Sequence, residues 1–403
     1  MGAVKTDRVP KACREGNAGR AEGTCSYVVE EHVASLVIDV ERLKNLNCGL
    51  GQYCLHLWRA VSDSASADWE VVPLLRAEER ALLAPTYPRW LPAHGWRGNP
   101  AAHLFRPWAA WLGNTDQCDI WHATHQDTRF LPWARSTQFI LTIHDLNILR
   151  EKPPATIRRR LYRMQKLVDR ATLITTASEF AADEIRTHLR LRGKPVEVIP
   201  HGVCLNTQQT KEAQPEFLPE GRFLFTIGDV TAKKNFHVLV DLMLRLPEYR
   251  LVIAGKKRSD YAAQLEQRIH ARGLQRRILL LDVVSDAERL WLYRNCDAFL
   301  FPSLSEGFGL PLIEAMSFGK PIFAAHRTSL PEVGGELACY WHDFEPEHMV
   351  HVFREGMRQA HAHPELSSRL QARAAQFNWT RAAQAYWAVY QRVLEQVRPR
   401  KVA

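Results

Sequence analysis

The 403-residue chain is 46% hydrophobic, carries a formal net charge of +9 and contains eight cysteines. Its length allows two domains with a sizeable buried core, no apolar run reaches the ~20 residues of a membrane span, and the polar first 25 residues lack the apolar centre of a signal peptide. Scattered cysteines without a Cys-x-x-Cys pair read as reduced thiols, against a zinc site or a disulfide framework, while the positive charge favours a nucleic acid, an anionic membrane face or a phosphorylated substrate.

Residues 1–25, rich in Gly, Ala, Arg and Lys without an apolar period, read as a disordered extension, and the fold is expected to begin near Ser26. "ASLVIDV" reads as a first buried strand, "GLGQYCLHLWRAV" as a glycine turn entering a helix, and "WEVVPLL" as the next strand. The rhythm continues through "CDIWHATH", "TQFILTIHDL", "ATLITTASEF" and "VEVIPHGV", with helical stretches such as "ATIRRRLYRMQKLVDRA" between them. Such alternation predicts an α/β fold with a parallel sheet covered on both faces. Ligands of such sheets bind at the carboxyl ends of the strands, where His122, His125, His144, Asp145 and Ser178 fall.

Residues 205–221 are polar, contain proline and have no period, as a linker does. A second series follows in "RFLFTIGDV", "YRLVIAGKK", "ILLLDVV", "CDAFLFPS" and "GKPIFAAH". "FNWTRAAQAYWAVYQRVLEQV" then closes the chain as an amphipathic helix capped by Asn378 or Thr380. Two doubly wound domains, with a cleft between them, are expected: 26–204 and 222–380, with 381–403 a helix packing back on the first.

Within "PSLSEGFGLPLIEAMSFGKPI" a strand runs through a glycine-rich turn into a helix. Pro311 suits its first turn, and the backbone N–H groups of Phe308, Gly309 and Leu310 are expected to face an anion or a sugar oxygen. Glu306 and Glu314 flank that turn. A carboxylate beside an anion site implies hydroxyl recognition, because it accepts two neighbouring O–H groups. The alternative makes Glu314 a charge complementing the helix dipole and Glu306 a loop cap. In "FTIGDVTAKKNFHVLV", Lys233 and Lys234 precede a helix expected near Asn235 and suit a leaving diphosphate, or else a solvated turn. Gly49-x-Gly51 lets backbone approach a ligand but is not a dinucleotide fingerprint, its third glycine being absent. His144 is the histidine singled out for catalysis; His122 and His125 read as structural. There is no Asp-x-Asp, HExxH, GxSxG or GxxxxGK[ST], so metal-held nucleotide sugars, zinc and serine hydrolysis and P-loop chemistry lose support.

From Ser26 onward the chain resembles the retaining glycosyltransferases of family 4, which have the GT-B architecture of two facing Rossmann-like domains. The likeness rests on Glu306-GFGLPLI-Glu314 as the E-x7-E motif, with "SLPEVGG", "GLGQY", "TIHDL", "TASEFAADEI", "VIPHGV", "TIGDVTAKKN", "LVIAGKK" and "FNWTRAAQAY" in order. The resemblance implies that Glu314 holds the nucleotide ribose and Glu306 the donor sugar's hydroxyls. It gives the main chain of Phe308, Gly309 and Leu310 to sugar and phosphate, Lys233 and Lys234 to the diphosphate, His144 to the donor sugar, and Gly49 and Gly51 to a loop under the phosphates. Lysine replaces the family's arginine at 233, and Asp229 stands where some branches carry arginine, which either shifts phosphate neutralisation onto the lysines or marks a branch that never used the arginine.

The implied reaction is metal-independent, cofactor-free transfer with retention. It moves a hexose, mannose preferred, from a nucleotide diphosphate sugar to a glycan or lipid-linked glycan, in lipopolysaccharide, O-antigen or exopolysaccharide synthesis. A cytoplasmic protein peripheral to the inner membrane face is expected, the basic helix around residues 156–170 meeting anionic lipid, with no nucleic-acid partner. A nucleotide-sugar epimerase of the same architecture and a catalytically inactive nucleotide-sugar-binding homologue are the competing readings.

Overall fold

The structure is a computed structural model that describes residues 33–46, 49–83, 90–92, 118–132, 134–205, 212–215 and 221–397. The expected extension 1–25, most of the expected linker 205–221 and the last residues of the closing segment 381–403 lie outside the described residues.

Thirteen strands form two parallel sheets. The first contains β1 (Ala34–Asp39), β2 (Trp69–Leu75), β3 (Leu91–Pro92), β4 (Ile120–Ala123), β5 (Gln138–Thr142), β6 (Leu173–Thr176) and β7 (Val196–Val198), in the order β3-β2-β1-β4-β5-β6-β7. The second contains β8 (Phe223–Ile227), β9 (Arg250–Ala254), β10 (Ile278–Leu281), β11 (Ala298–Phe301), β12 (Ile322–Ala325) and β13 (Cys339–Trp341), in the order β10-β9-β8-β11-β12-β13. Both orders reverse direction after their first strand, so each sheet has a topological switch point. These lie between β1 and β4 and between β8 and β11, where such folds bind ligands.

Strands buried on both faces read as unbroken apolar runs, as in "AFLF" and "IFAA", whose residues are all buried. Helices of eight residues or more cover the sheets. They are α1 (Gly49–Asp63), α2 (Pro154–Arg170), α3 (Glu179–His188), α4 (His237–Leu244), α5 (Asp260–Ala271), α6 (Asp286–Asn295), α7 (Leu310–Ser317), α8 (Pro346–Ala362), α9 (Glu365–Ala374) and α10 (Trp379–Val397). The expected helix near Asn235 begins at His237. Lys233 and Lys234 instead sit on a 3-10 turn that ends at Asn235 in the left-handed conformation.

The last helix belongs to the first sheet. Asn378 caps it through Arg381 N–H (2.9 Å), and Ala382, Tyr386, Val389, Tyr390 and Val393 form a helical stripe packed with Leu57, Trp58 and Val61 of α1 and with Ile38 of β1. Each large side chain buried in this way contributes about 2–3 kcal/mol, and the tyrosine hydroxyls are satisfied by Tyr53 (2.7 Å) and His122 (2.8 Å). The chain therefore passes between the sheets twice. The passages touch, with Val203 N–H donating to Phe377 O at 2.9 Å, and a Cβ on Gly202 would stand 2.4 Å from the Trp379 nitrogen, so glycine is required at the crossing. All described residues form one compact unit.

Candidate active site

The switch point of the second sheet carries an ion pair. Lys234 Nζ lies 2.6 Å from Glu306 Oε1, and Ser303 Oγ donates to the same oxygen at 2.6 Å. Both charged side chains are more than four-fifths buried, and the lysine head also lies 4.9 Å from the centre of the Phe301 ring. The loop is fixed from behind by Glu306 N–H donating to Thr328 Oγ1 and by Ser329 Oγ donating to the carbonyls of Glu306 and Phe308.

Gly309, at φ +106°, caps α7 in a conformation that other residues rarely adopt. The N–H groups of Phe308, Gly309 and Leu310 make no hydrogen bond within the described residues, as the first N–H groups of a helix have no intrahelical acceptor. The Phe308 side chain is core, its ring 5.2 Å from His201 and 5.7 Å from Phe377, which leaves only its main chain for other partners. Glu314 lies one turn further along, held by Arg289 Nη1 at 2.6 Å and by Tyr293 OH at 2.7 Å.

Lys233 does not join this group. Its amine reaches Glu151 of the first half at 3.2 Å; burial pulls its pKa down, but Glu151 and Glu306 outweigh that and raise it. The two halves meet at several further points. A Cβ on Gly307 would stand 2.9 Å from His144 O and 3.0 Å from Asp145, so only glycine fits. Ser178 Oγ donates to Gly307 O at 3.0 Å, Ser305 Oγ donates to Asn147 Oδ1, and Glu332 accepts from the first N–H groups of α3, Glu179 at 2.9 Å and Phe180 at 3.2 Å.

The switch point of the first sheet is built of neutral imidazoles. His144 donates from Nε2 to Thr124 O at 2.8 Å, which leaves Nδ1 to accept from His201 Nε2 at 3.3 Å. Burial, opposed by the bond to Thr124 and helped by the charge of Arg42, lowers the His144 pKa to about 4. His122 sits between Tyr390 (2.8 Å) and Thr142 (2.7 Å), and burial lowers its pKa to about 3. It is a structural hub, as expected of it. His125 accepts at Nδ1 from Asp127 N–H (2.9 Å) with the Arg42 guanidinium 3.1 Å away, and burial, with His144 next, lowers its pKa to about 2. Asp39 at the end of β1 accepts from Thr128 Oγ1 (2.7 Å) and Glu41 N–H (3.1 Å); burial outweighs both and raises its pKa to about 6.

Between the halves lies a cleft of about 190 Å³, lined by Leu50, His125, Asp127, Asp145, Arg160 and Lys233 among others. Gly49 opens onto free space, since an added Cβ would meet nothing within 4 Å. Gly51 is required by packing instead, its Cβ falling 2.0 Å from Asn45 O.

Of the residues singled out in the sequence, Lys234 and Glu306 pair directly, the 308–310 turn follows Glu306 on the same loop, and Glu314 lies one turn into α7. His144 adjoins that loop through its carbonyl, and Lys233 faces the cleft. Sequence reading missed Ser303, Arg289, Tyr293, Glu151, Glu332 and Asp39. Only Ser303 had a local signal, three residues before Glu306 on the same loop. Among the described residues no three His, Cys, Asp or Glu side chains group as metal ligands, and no helix is long and apolar enough to cross a membrane.

Residues 49–207 match the family model described as Glycosyltransferase Family 4, and residues 207–377 match that described as Glycosyl transferases group 1. The O-antigen chain mannosyltransferase B of Escherichia coli is 28% identical over 275 residues, covering 63% of this chain and 70% of that protein. The serotype-specific mannosyltransferase WbdA of E. coli is 25% identical over 282 residues, covering 66% of this chain but only 34% of its own, so the chain spans about a third of that relative. Among solved structures, Anabaena HepE in complex with UDP and glucose superposes with a TM-score of 0.69 at 17% identity, covering 89% of this chain and all of that one.

Proposed function

Taking the chain as a group 1 glycosyltransferase of GT-B architecture, we propose that it moves a hexose, mannose preferred, from a nucleoside diphosphate sugar to a glycan acceptor with retention of configuration. The pathway proposed is surface-polysaccharide synthesis: lipopolysaccharide, O-antigen or exopolysaccharide. The similarity to O-antigen mannosyltransferases supports the sugar and the pathway.

The observation that carries the reading is the buried Lys234–Glu306 pair beside three unfilled N–H groups, with Glu314 one turn beyond. In this reading the N–H groups of Phe308, Gly309 and Leu310 take the diphosphate and Glu314 takes the ribose hydroxyls. Lys234 and Lys233 stabilise the negative charge that grows on the departing phosphate. Glu306 has one oxygen engaged by Lys234 and Ser303, which leaves the other to accept from hydroxyls of the transferred sugar. The bond from the anomeric carbon to the phosphate oxygen breaks, and the acceptor oxygen bonds to the same face of the sugar. The acceptor's proton goes to the departing phosphate oxygen, and the nucleoside diphosphate leaves. No metal is assigned a part, and His144 acts as a neutral hydrogen-bonding group.

The acceptor hydroxyl enters through the cleft lined by Asp127, Asp145 and Arg160. Docking on an anionic membrane, at the cytoplasmic face, falls to α2, whose Arg158, Arg159, Arg163 and Lys166 accompany an exposed Tyr162. Flotation with phosphatidylglycerol vesicles that salt reverses, and none with phosphatidylcholine, is the expected result.

The deciding experiment is thermal denaturation without metal in the presence of UDP, GDP, ADP, TDP and their common sugars. A selective rise of several degrees with one base, growing with concentration, is expected of a ligand bound by the folded state alone. No rise with any of them removes the reading. Release of nucleoside diphosphate that requires an acceptor then separates transfer from epimerisation.

A further inference from the structure

Both carboxylate oxygens of Glu314 are held from one helix. Arg289 and Tyr293 stand four residues apart on α6, hence on the same face, and each takes a different oxygen of the carboxylate, at 2.6 and 2.7 Å. Each partner is itself fixed. Tyr293 is fully buried with its hydroxyl 3.4 Å from Pro311 O, and the second branch of Arg289 reaches Asp286 at 3.0 Å. A carboxylate offers about four lone-pair sites, so two stay open after these bonds, the number that a vicinal diol's two hydroxyls require.

Resting on the proposed function above, we propose that Arg289 and Tyr293 are positioning residues for the donor: they fix the rotamer of Glu314 so that its two open lone-pair sites face the vicinal hydroxyls of the nucleotide ribose. Neither residue touches the transferred sugar in this assignment. Their effect falls on recognition of the ribose, not on the chemical step. The attraction of Glu314 raises the Arg289 pKa against the opposing effect of burial, so the guanidinium stays charged beside the carboxylate it orients.

The test uses the full chain and titration calorimetry with whichever nucleoside diphosphate stabilises it, alongside its 2′,3′-dideoxy analogue. Arg289→Gln and Tyr293→Phe are expected to weaken the ribonucleotide about ten- to a hundredfold, the loss of one charge-assisted hydrogen bond's support, and to leave the dideoxy analogue's affinity unchanged. In turnover the donor KM should rise by more than kcat falls, and Arg289→Lys should restore part of the affinity. Tyr293→Phe keeps the ring that fills the core, so its thermal midpoint confirms that the fold survives. Equal losses for both nucleotides, or none in either variant, overturn the assignment. Glu314→Gln separates the two levels: if it binds the ribonucleotide as well as the parent does, the ribose reading itself fails. If it loses affinity while the α6 variants do not, only the positioning role fails.

Discussion

The two switch points are alike in topology and opposite in electrostatics. At the second sheet the polar groups are ions paired at short range, Lys234 with Glu306 and Arg289 with Glu314. At the first, His122, His125, His144 and His201 are all buried and all held neutral. An edge of paired ions can exchange its internal partners for a charged ligand with little change in net solvation. An edge of neutral imidazoles offers directional hydrogen bonds, with Arg42 and Asp39 as the charged groups beside it. One fold repeated in a chain thus carries close ion pairs at one switch point and a cluster of buried neutral imidazoles at the other.

The sharpest way to break this contrast is at the ionic edge. Glu306→Ala is expected to lower transfer by at least about a thousandfold while circular dichroism and the thermal midpoint stay near those of the parent. Full activity in that variant would sink the role given to Glu306.

The neutral edge should show itself in acid. Histidines whose folded pKa lies below 6.5 leave the unfolded chain binding more protons as pH falls, so stability is present above pH 6.5 and is lost progressively towards pH 4 and below. Asp39, raised to about 6, acts in the opposite sense between pH 6 and 3.8, but it is one group against several. The thermal midpoint measured from pH 7.5 to 4.5 should therefore fall by many degrees, more steeply in Asp39→Asn. A flat profile contradicts the buried neutral cluster.

Smaller effects test the glycine turn at the entrance of α1. Gly51→Ala drives a methyl group into Asn45 O and should cost about 2–3 kcal/mol. Gly49→Ala meets nothing and should change stability by no more than about 0.5 kcal/mol, so any loss of donor affinity there reports on the ligand. Between these two lies Glu332→Gln, which removes a charge from the start of α3 and should cost about 1 kcal/mol in denaturant titrations.

What the sequence made legible follows from range. β2 was read with its observed bounds, β1 to within a residue, and Asn378 as one of two candidate caps of α10, because period and capping are encoded within a few neighbouring residues. The Glu306 turn was legible because Pro311 and the two glycines Gly307 and Gly309 carry their meaning locally. The polar partners were not. His122 meets Tyr390 across 268 positions, Lys233 meets Glu151 across the cleft, and the α6 clamp on Glu314 spans 21 to 25 residues with ordinary helix residues. β3 and β13, two and three residues long, are too short for any period to mark them.

The return of α10 to the first sheet bears on how the protein is made. A ribosome releases the strands and helices of residues 34–198 well before it reaches Tyr386 and Tyr390, so the apolar face of α1 and the hydrogen-bonding nitrogen of His122 wait for partners while the whole second half is synthesised. The second half can close on itself as it emerges, whereas the first is finished last despite being translated first. Nascent chains arrested before residue 379 should hold a protease-sensitive first half, and that sensitivity should vanish once the final helix has cleared the exit tunnel.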